Sequence, residues 1–321
     1  MAINLARQKM VEVSCIIINF NTSGYTIDCV QSIINTHKND FSYEIIVVDN
    51  ASEKEDFMAL QTGISSLHSE KIQLIRSKIN LGFGGGNMLG VQHCSNCNYY
   101  AFINNDTLQI DENCLLQLQN FMNENKEIAV VSPQMLDEKK NFRMTLDHFS
   151  SLQREILKRA VLEFLFPRRY LNRKKFYDEP TKVDYIQGSF MFIRATDFND
   201  VGGFDTNLFL YYEESDLCRR LLKEKNKATY LYPQLQYIHY KGVSTAKNVK
   251  MKIELKLSLL YTIRKHYGFW AYKILLTYFQ IRYFFSSIVK PKYFALFKVL
   301  IRGAHLSESI KQQQKIKILA E

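Results

Sequence analysis

Three short apolar runs, two rich in β-branched residues and one in aromatics, each leading straight into Asn or Asp, constrain this chain more than any other feature. Val13-Ser-Cys-Ile-Ile-Ile-Asn-Phe20, Glu44-Ile-Ile-Val-Val-Asp49 and Tyr99-Tyr-Ala-Phe-Ile103 suit strands buried on both faces. Ile72 to Ile75 and Ile128 to Val131 supply a further strand each. Helical patterns lie between them: one through Ile27, Val30, Ile33 and Ile34, one opened by Asn50-Ala-Ser-Glu53, and one entered from the glycine-rich loop Gly82 to Gly86. This alternation predicts an α/β fold, a mostly parallel sheet with helices on both faces.

In such a sheet, ligands bind beyond the carboxyl ends of the strands. The residues falling there are Asn19 and Asn21, Asp49 and Asn50, the Asn80 to Asn87 segment, and Asn104-Asn105-Asp106. Four ends presenting Asn and Asp predict a polar pocket, although both residue types also favour turns and helix caps. The loop Gly82-Phe-Gly-Gly-Gly-Asn87 is not a dinucleotide fingerprint, because Asn87 holds the place of the third glycine and the loop follows the third strand. Its glycines imply a backbone that a ligand can approach closely. An acidic group leaving an apolar strand, as in Ile103-Asn-Asn-Asp-Thr107, suits a divalent metal that neutralises a diphosphate.

After Pro133 the alternation stops, and residues 137 to 182 are polar and basic with no assignable pattern. Val183 to Arg194 reads as one strand and Val201-Gly-Gly-Phe-Asp205 as a turn. Glu213 to Lys223 suits a helix with Leu217, Cys218, Leu221 and Leu222 on one face. Glu213 and Glu214 open it, where negative charge complements the helix dipole, and either carboxylate could instead serve as a general base. His239 ends an apolar stretch, a place where most histidines are simply packed.

Six cysteines make no disulfide framework, and no secretory leader is visible, so they read as reduced thiols. Cys94 and Cys97 have the spacing of half a zinc site without a second pair. Glycosylation acceptor patterns at Asn21, Asn50 and Asn105 fall in the expected ligand loops, which favours a compartment without that modification. The net charge of +10 is concentrated at one end: from residue 250 onward 14 Lys or Arg face 3 Asp or Glu, whereas the rest holds 28 against 29. Such asymmetry points to an anionic partner.

Taken in order, the segments resemble the inverting family 2 glycosyltransferases of the GT-A fold, in particular the rhamnosyltransferase-like and galactofuranosyltransferase-like branch. Those that carry the likeness are Ile16-Ile-Ile-Asn-Phe-Asn21, Ile46-Val-Val-Asp-Asn-Ala-Ser52, Asn80-Leu-Gly-Phe-Gly-Gly-Gly-Asn87 and Ile103-Asn-Asn-Asp-Thr107. Gly188-Ser-Phe-Met-Phe-Ile-Arg194, Val201-Gly-Gly-Phe-Asp205, the run from Leu208 to Arg220, and His239-Tyr-Lys-Gly-Val-Ser244 continue it, so that it spans about three-quarters of the chain. The resemblance implies that Asn19, Asn21, Asp49 and Asn50 contact the donor's base and ribose. Asn80, Gly82, Gly84, Gly85, Asn87, Asn104 and Asn105 would lie along the nucleotide sugar. Asp106, Asn104 and His239 would hold the metal, Mg or Mn. The family's usual Glu-Asp pair is Glu213-Glu214 here, with Glu214 the expected base and Glu213 the alternative; Asp216, Arg219 and Arg220 would shape the helix. It further implies a catalytic domain over residues 1–246, with a nucleotide-binding half to about 133 and an acceptor-side half beyond it.

Residues 247–321 would form a basic amphipathic helical region. Tyr267 to Val289 carries Lys273 and Arg282, which argues against a transmembrane span and for a helix lying in a membrane interface or packed on a second subunit as a homodimer. Lys290-Pro-Lys292 would break it before Tyr293 to Ile301. The expectations are therefore a nucleotide-diphosphate sugar donor (dTDP-rhamnose before UDP-sugars), a lipid-linked or polysaccharide acceptor, and a cytoplasmic location on the inner face of the plasma membrane. Gln280-Ile-Arg-Tyr283 is not the signature of processive synthases, which favours single additions. A nucleotidyltransferase would need a basic glycine-rich loop after the first strand, and Asn19-Phe-Asn-Thr-Ser23 is not one. A nucleic-acid partner is disfavoured because the basic residues alternate with long apolar stretches. A donor-binding scaffold without transfer is the remaining alternative.

Overall fold

The computed structural model describes residues 10–37, 41–240 and 248–316. The expected boundary at 246 and the Lys241–Ser244 end of the last motif lie outside them. The chain begins with β1 (Met10–Asn19), α1 (Ser23–Thr36), β2 (Tyr43–Asp49), α2 (Lys54–Ser66), β3 (Ile72–Arg76), α3 (Gly82–His93) and β4 (Asn96–Asn104). β3, β2, β1 and β4 pair in parallel, so the ends carrying Asn19, Asp49 and Asn104 share one edge of the sheet.

Alternation along β1 explains the helices on both faces. Val13, Cys15 and Ile17 pack under Cys29, Val30, Ile33 and Leu60 of α1 and α2. Ile16 points the other way, toward Met88 and Leu89 of α3. Each such fully buried aliphatic side chain contributes roughly 1.5–3 kcal/mol.

The chain continues through β5 (Thr107–Gln109), α4 (Cys114–Glu124), β6 (Ile128–Leu136), β7 (Leu146–Asp147), α5 (Leu152–Leu157), α6 (Arg159–Leu165), β8 (Thr181–Val183), β9 (Tyr185–Ile186) and β10 (Phe190–Arg194). It closes with α7 (Ala195–Asp200), α8 (Glu213–Lys225), β11 (Ala228–His239), α9 (Val249–Val289) and α10 (Phe294–Ile301). β10 inserts antiparallel between β4 and β6, and β11 runs parallel to β6. The sheet is thus mixed, parallel in its first half.

Three expectations about elements are corrected. Val183–Arg194 is not one strand: Thr181–Val183 pairs with β11, Tyr185–Ile186 pairs with β7 in a separate small sheet, and only Phe190–Arg194 enters the main sheet. The glycine-rich loop is the first turns of α3 itself, because Gly84, Gly86 and Gly90 let the helix press onto Phe204, Ile18 and Ile16. β11 was not foreseen as a strand, since Pro233 interrupts its pattern; the ladder skips that stretch with a register shift between Tyr232 and Gln236.

Among the described residues no helix is long and apolar enough to cross a membrane. α9 is kinked at Gly268, whose φ of 85° only glycine adopts freely. Leu257, Leu260, Leu275, Phe279, Leu296 and Leu300 join α9 and α10 in a core of their own. Asp216 fastens α8 to α9. It is fully buried and receives His266 Nε2 at 2.7 Å, Lys265 Nζ at 2.8 Å and Arg220 Nε at 2.8 Å.

Candidate active site

A cleft of about 450 Å³ opens beyond the carboxyl edge of the parallel strands. Phe20, Asn80, Gly82, Phe83, Asn87, Ile103, Asn104 and Asn105 come from the strand ends and α3. Phe209, Leu210, Met251, Ile310 and Gln314 close it from the far side. The pocket is less polar than the sequence implies. Asn19 and Asp49 sit behind its wall, fully buried and saturated by protein groups. Asn19 Nδ2 donates to Asp49 Oδ1 at 3.1 Å and Asp56 Oδ2 at 2.8 Å, and Arg76 pairs with Asp49 at 3.3 Å. Asn50 Nδ2 donates to Asn80 Oδ1 and to the Gly82 carbonyl, both at 3.1 Å, and so sets the turn that enters α3. Asn21 is exposed and accepts from the Glu53 amide at 2.7 Å. Gly84 and Gly85 are not on the cleft wall. A Cβ on Gly84 would touch Phe204 and Glu213, and one on Gly85 would touch Leu81.

A second cavity of about 280 Å³ shares Phe83, Asn104 and Leu210 with the cleft. It holds Asp147, Tyr185, Gln187, Glu213, Glu214 and His239. The two glutamates enter it from a strained turn, because Tyr211 and Tyr212 carry φ values of 77° and 72°. A left-handed non-glycine residue costs roughly 1–2 kcal/mol, and such strain persists where the surroundings over-determine it. Glu213 is buried and one of its carboxylate oxygens has no hydrogen-bond partner. Burial and the neighbouring Glu214 push its carboxyl well above the usual range. Burial also raises Glu214, to about 7, with Asp147 adding to the shift.

His239 reaches the same place through strand register. β5 and β11 pair with His239 opposite Thr107, which sets its Nε2 3.1 Å from Asp106 Oδ1. Asp106 is itself nearly buried beside the loop that presents Asn104. Among the described residues no group of three or more His, Cys, Asp or Glu side chains is arranged to hold a metal ion by itself. A carboxylate oxygen and an imidazole nitrogen this close, next to the Asn104 amide, are nonetheless donors of the kind that Mg²⁺ or Mn²⁺ accepts.

The family model for Glycosyl transferase family 2 matches residues 14–202. The chain belongs to this family. Rhamnosyltransferase WbbL of Escherichia coli (strain K12) is 28% identical over 215 residues, 64% of this glycosyltransferase and 76% of the relative. N-acetylglucosaminyl-diphospho-decaprenol L-rhamnosyltransferase of Mycobacterium tuberculosis is 31% identical over 96 residues, 29% of this chain and 31% of that protein. The crystal structure of GalNAc-T7 with UDP, GalNAc and Mn²⁺ superposes with a TM-score of 0.61 at 13% identity, over 92% of this chain and 56% of that one. S. aureus TarS 1-349 gives 0.50 at 15% identity, over 79% and 66%. These two show the GT-A fold.

The structure of the glycosyltransferase thus brings Asn80, Gly82, Asn87, Asn104 and Asn105 to the cleft, and Glu213, Glu214 and His239 to the adjoining cavity. It sets Asn19, Asp49 and Asn50 one layer behind. Sequence reasoning missed Asp147, Tyr185 and the C-terminal contributors Met251, Ile310 and Gln314. For Ile310 and Gln314 no local signal exists, since they reach the cleft only because buried Glu254 accepts Ser309 Oγ at 2.8 Å and the Ile310 amide at 2.9 Å. Cys94 and Cys97 are free thiols half-buried beside β1, and among the described residues they belong to no group of three or more His, Cys, Asp or Glu that could hold a metal ion.

Proposed function

We propose that this glycosyltransferase moves one sugar, with inversion, from a nucleotide-diphosphate donor to a hydroxyl of a lipid-linked or polysaccharide acceptor at the cytoplasmic face of a membrane. The observation that carries the reading is the junction of the two cavities. A donor in the cleft and an acceptor beside Glu214 would meet at Asn104, Phe83 and Leu210. In this reading residues up to about 133 supply most of the donor wall, which Phe209, Leu210, Met251, Ile310 and Gln314 close, and residues from 134 to 246 supply the acceptor side.

The diphosphate lies along Asn80, Gly82 and Asn87, where the first turn of α3 offers positive dipole to negative charge. Asn19, Asp49 and Asn50 hold that wall in shape, and Asn21 fixes the start of α2 by accepting the Glu53 amide. Asp106, His239 and Asn104 would hold the divalent cation, which when bound offsets charge on the departing diphosphate. The acceptor hydroxyl oxygen attacks the anomeric carbon as the bond from that carbon to the diphosphate oxygen breaks on the opposite face. Glu214 takes the hydroxyl proton, and the bond electrons leave with the nucleoside diphosphate. Glu213, the more deeply buried of the two, orients its neighbour.

A deoxyhexose donor, dTDP-rhamnose before UDP-sugars, is supported by the names of the relatives and by the cleft wall. Phe209, Leu210, Met251 and Ile310 suit a methyl group better than a hydroxymethyl. Membrane association is supported by α9, where exposed Phe269, Trp270 and Phe285 alternate with Lys273 and Arg282.

Thermal stabilisation by nucleotide sugars tests the reading. A ligand at 100 times its Kd adds about 2.7 kcal/mol, and thus roughly 4 °C for a chain of this length. We expect that shift with dTDP or UDP compounds plus Mn²⁺ or Mg²⁺, and loss of its metal-dependent part in Asp106→Ala. No shift with any nucleotide would sink the proposal.

A further inference from the structure

The α5–α6 hairpin has an exposure pattern that catalysis does not explain. Of the seven residues of α6 only Leu162 is buried, while Val161, Phe164 and Leu165 face outward, followed by exposed Phe166. Phe164 is 84% exposed. The hairpin is nevertheless firmly anchored. Asp147 accepts Arg154, Arg159 and Arg173 at 3.4, 3.0 and 3.4 Å, Ser151 caps α5, and Leu152 packs against the α9 core. These side chains are therefore held outward by a fixed backbone, and large apolar groups clustered in that way mark an interaction site.

We propose that this hairpin is a docking element for an anionic phospholipid surface, separate from the C-terminal helices. Charge selects the partner. Residues 151–182 carry nine Lys or Arg against four Asp or Glu. Asp147 takes up Arg154, Arg159 and Arg173, whereas Lys158, Arg168, Lys174, Lys175 and Lys182 make no ion pair among the described residues. Arg168 and Arg169 directly follow the apolar tip, and with Lys182 and His148 they line a cavity of about 230 Å³. Its one carboxylate, Asp184, pairs with Arg169 at 2.9 Å and leaves Arg168 and Lys182 as the cations open to a phosphate. Apolar side chains flanked by cations match acyl chains beneath phosphate headgroups, with a phosphate entering the cationic cavity. A two-fold contact with a second copy would set the same cations against each other.

Asp147 links this surface to chemistry. It holds the hairpin's arginines and also lines the cavity of Glu214, so docking would bring the acceptor pocket to the bilayer. The inference rests on the reading that the acceptor is membrane-borne.

The test is co-sedimentation of the full chain with vesicles of 30% phosphatidylglycerol in phosphatidylcholine, and with phosphatidylcholine alone. Three proteins are compared: the parent, a Phe164→Ser, Leu165→Ser, Phe166→Ser triple variant, and a Trp270→Ser, Phe285→Ser pair. We expect the triple variant to bind at least ten-fold more weakly with an unchanged Tm, and parent binding to need the anionic lipid and to fall with salt. If only the C-terminal pair loses binding, the hairpin inference fails and the membrane reading stands. If the parent binds neither vesicle, both fail. If light scattering shows a parent dimer and a monomeric triple variant, the hairpin is a self-association face and the inference is overturned.

Discussion

Gly82→Ala probes the wall of the cleft proposed to take the donor. Gly82 has a φ of 73°, and a Cβ there would lie 2.0 Å from the Phe209 carbonyl oxygen and 2.8 Å from its carbon. The left-handed backbone costs roughly 1–2 kcal/mol for a residue with a Cβ. Overpacking adds roughly 1–3 kcal/mol. Phe209 cannot simply withdraw, because its carbonyl accepts the Phe83 amide at 2.9 Å. The sum is about 2–5 kcal/mol, and at about 2.1 cal/mol/K of unfolding entropy per residue it lowers Tm by roughly 3–7 °C. Gly202 is the control for backbone alone, with a φ of 78° and nothing within 4 Å of a Cβ; its Ala variant loses roughly 1.5–3 °C. Gly24, on α1 with open space and ordinary φ, tolerates Ala without loss. Calorimetry of the three variants, with donor affinity alongside, reads the contrast. Equal Tm values for Gly82→Ala and Gly202→Ala would refute the close approach of Phe209.

Further outcomes follow from the carboxylates. Glu214→Gln should lower kcat by about 10²–10⁴ with little change in donor affinity; near-normal turnover would move the base elsewhere. Because burial raises Glu214 to about 7, parent turnover should climb with pH through that value as the base is freed. Its contribution to stability runs the other way: it is complete below the ordinary carboxylate pKa of 4.5 and is lost as pH rises through about 7, which a Tm series on parent and variant would read. Asp216→Asn should cost about 3–5 kcal/mol by leaving buried Arg220 facing no anion, while Lys265 keeps Asp205 at 2.7 Å, measured by denaturant unfolding. His266, Arg220 and Lys265 hold the Asp216 carboxyl well below its usual range, so that stabilisation is present above pH 3.8 and lost as pH falls further. Glu254→Ala should release the segment bearing Ile310 and raise donor KM more than it lowers kcat; unchanged steady-state kinetics would remove the C-terminal segment from the site.

How much was legible follows from the range over which each residue acts. The buried β-branched runs fix period and strand identity locally, so β1 to β4 and the carboxyl-edge location of Asn19, Asp49 and Asn104 could be read directly. The ordered motifs likewise pointed to the family, and they singled out the Glu213-Glu214 pair that the fold sets in the second cavity. The 183–194 run misled because its apolar content is shared among three pairings, which only distant partners separate.

By itself, then, the sequence determined the parallel half-sheet, its ligand edge, the family and the basic bias of the C-terminal region, since each depends on neighbours within a few residues. Tertiary structure alone decided that Asn19 and Asp49 stand behind the wall, that His239 meets Asp106 across a strand pairing, and that Ile310 and Gln314 close the cleft. The physical reason is that burial, register and long-range hydrogen bonds belong to pairs of distant residues, and a linear pattern carries no record of which pairs will meet.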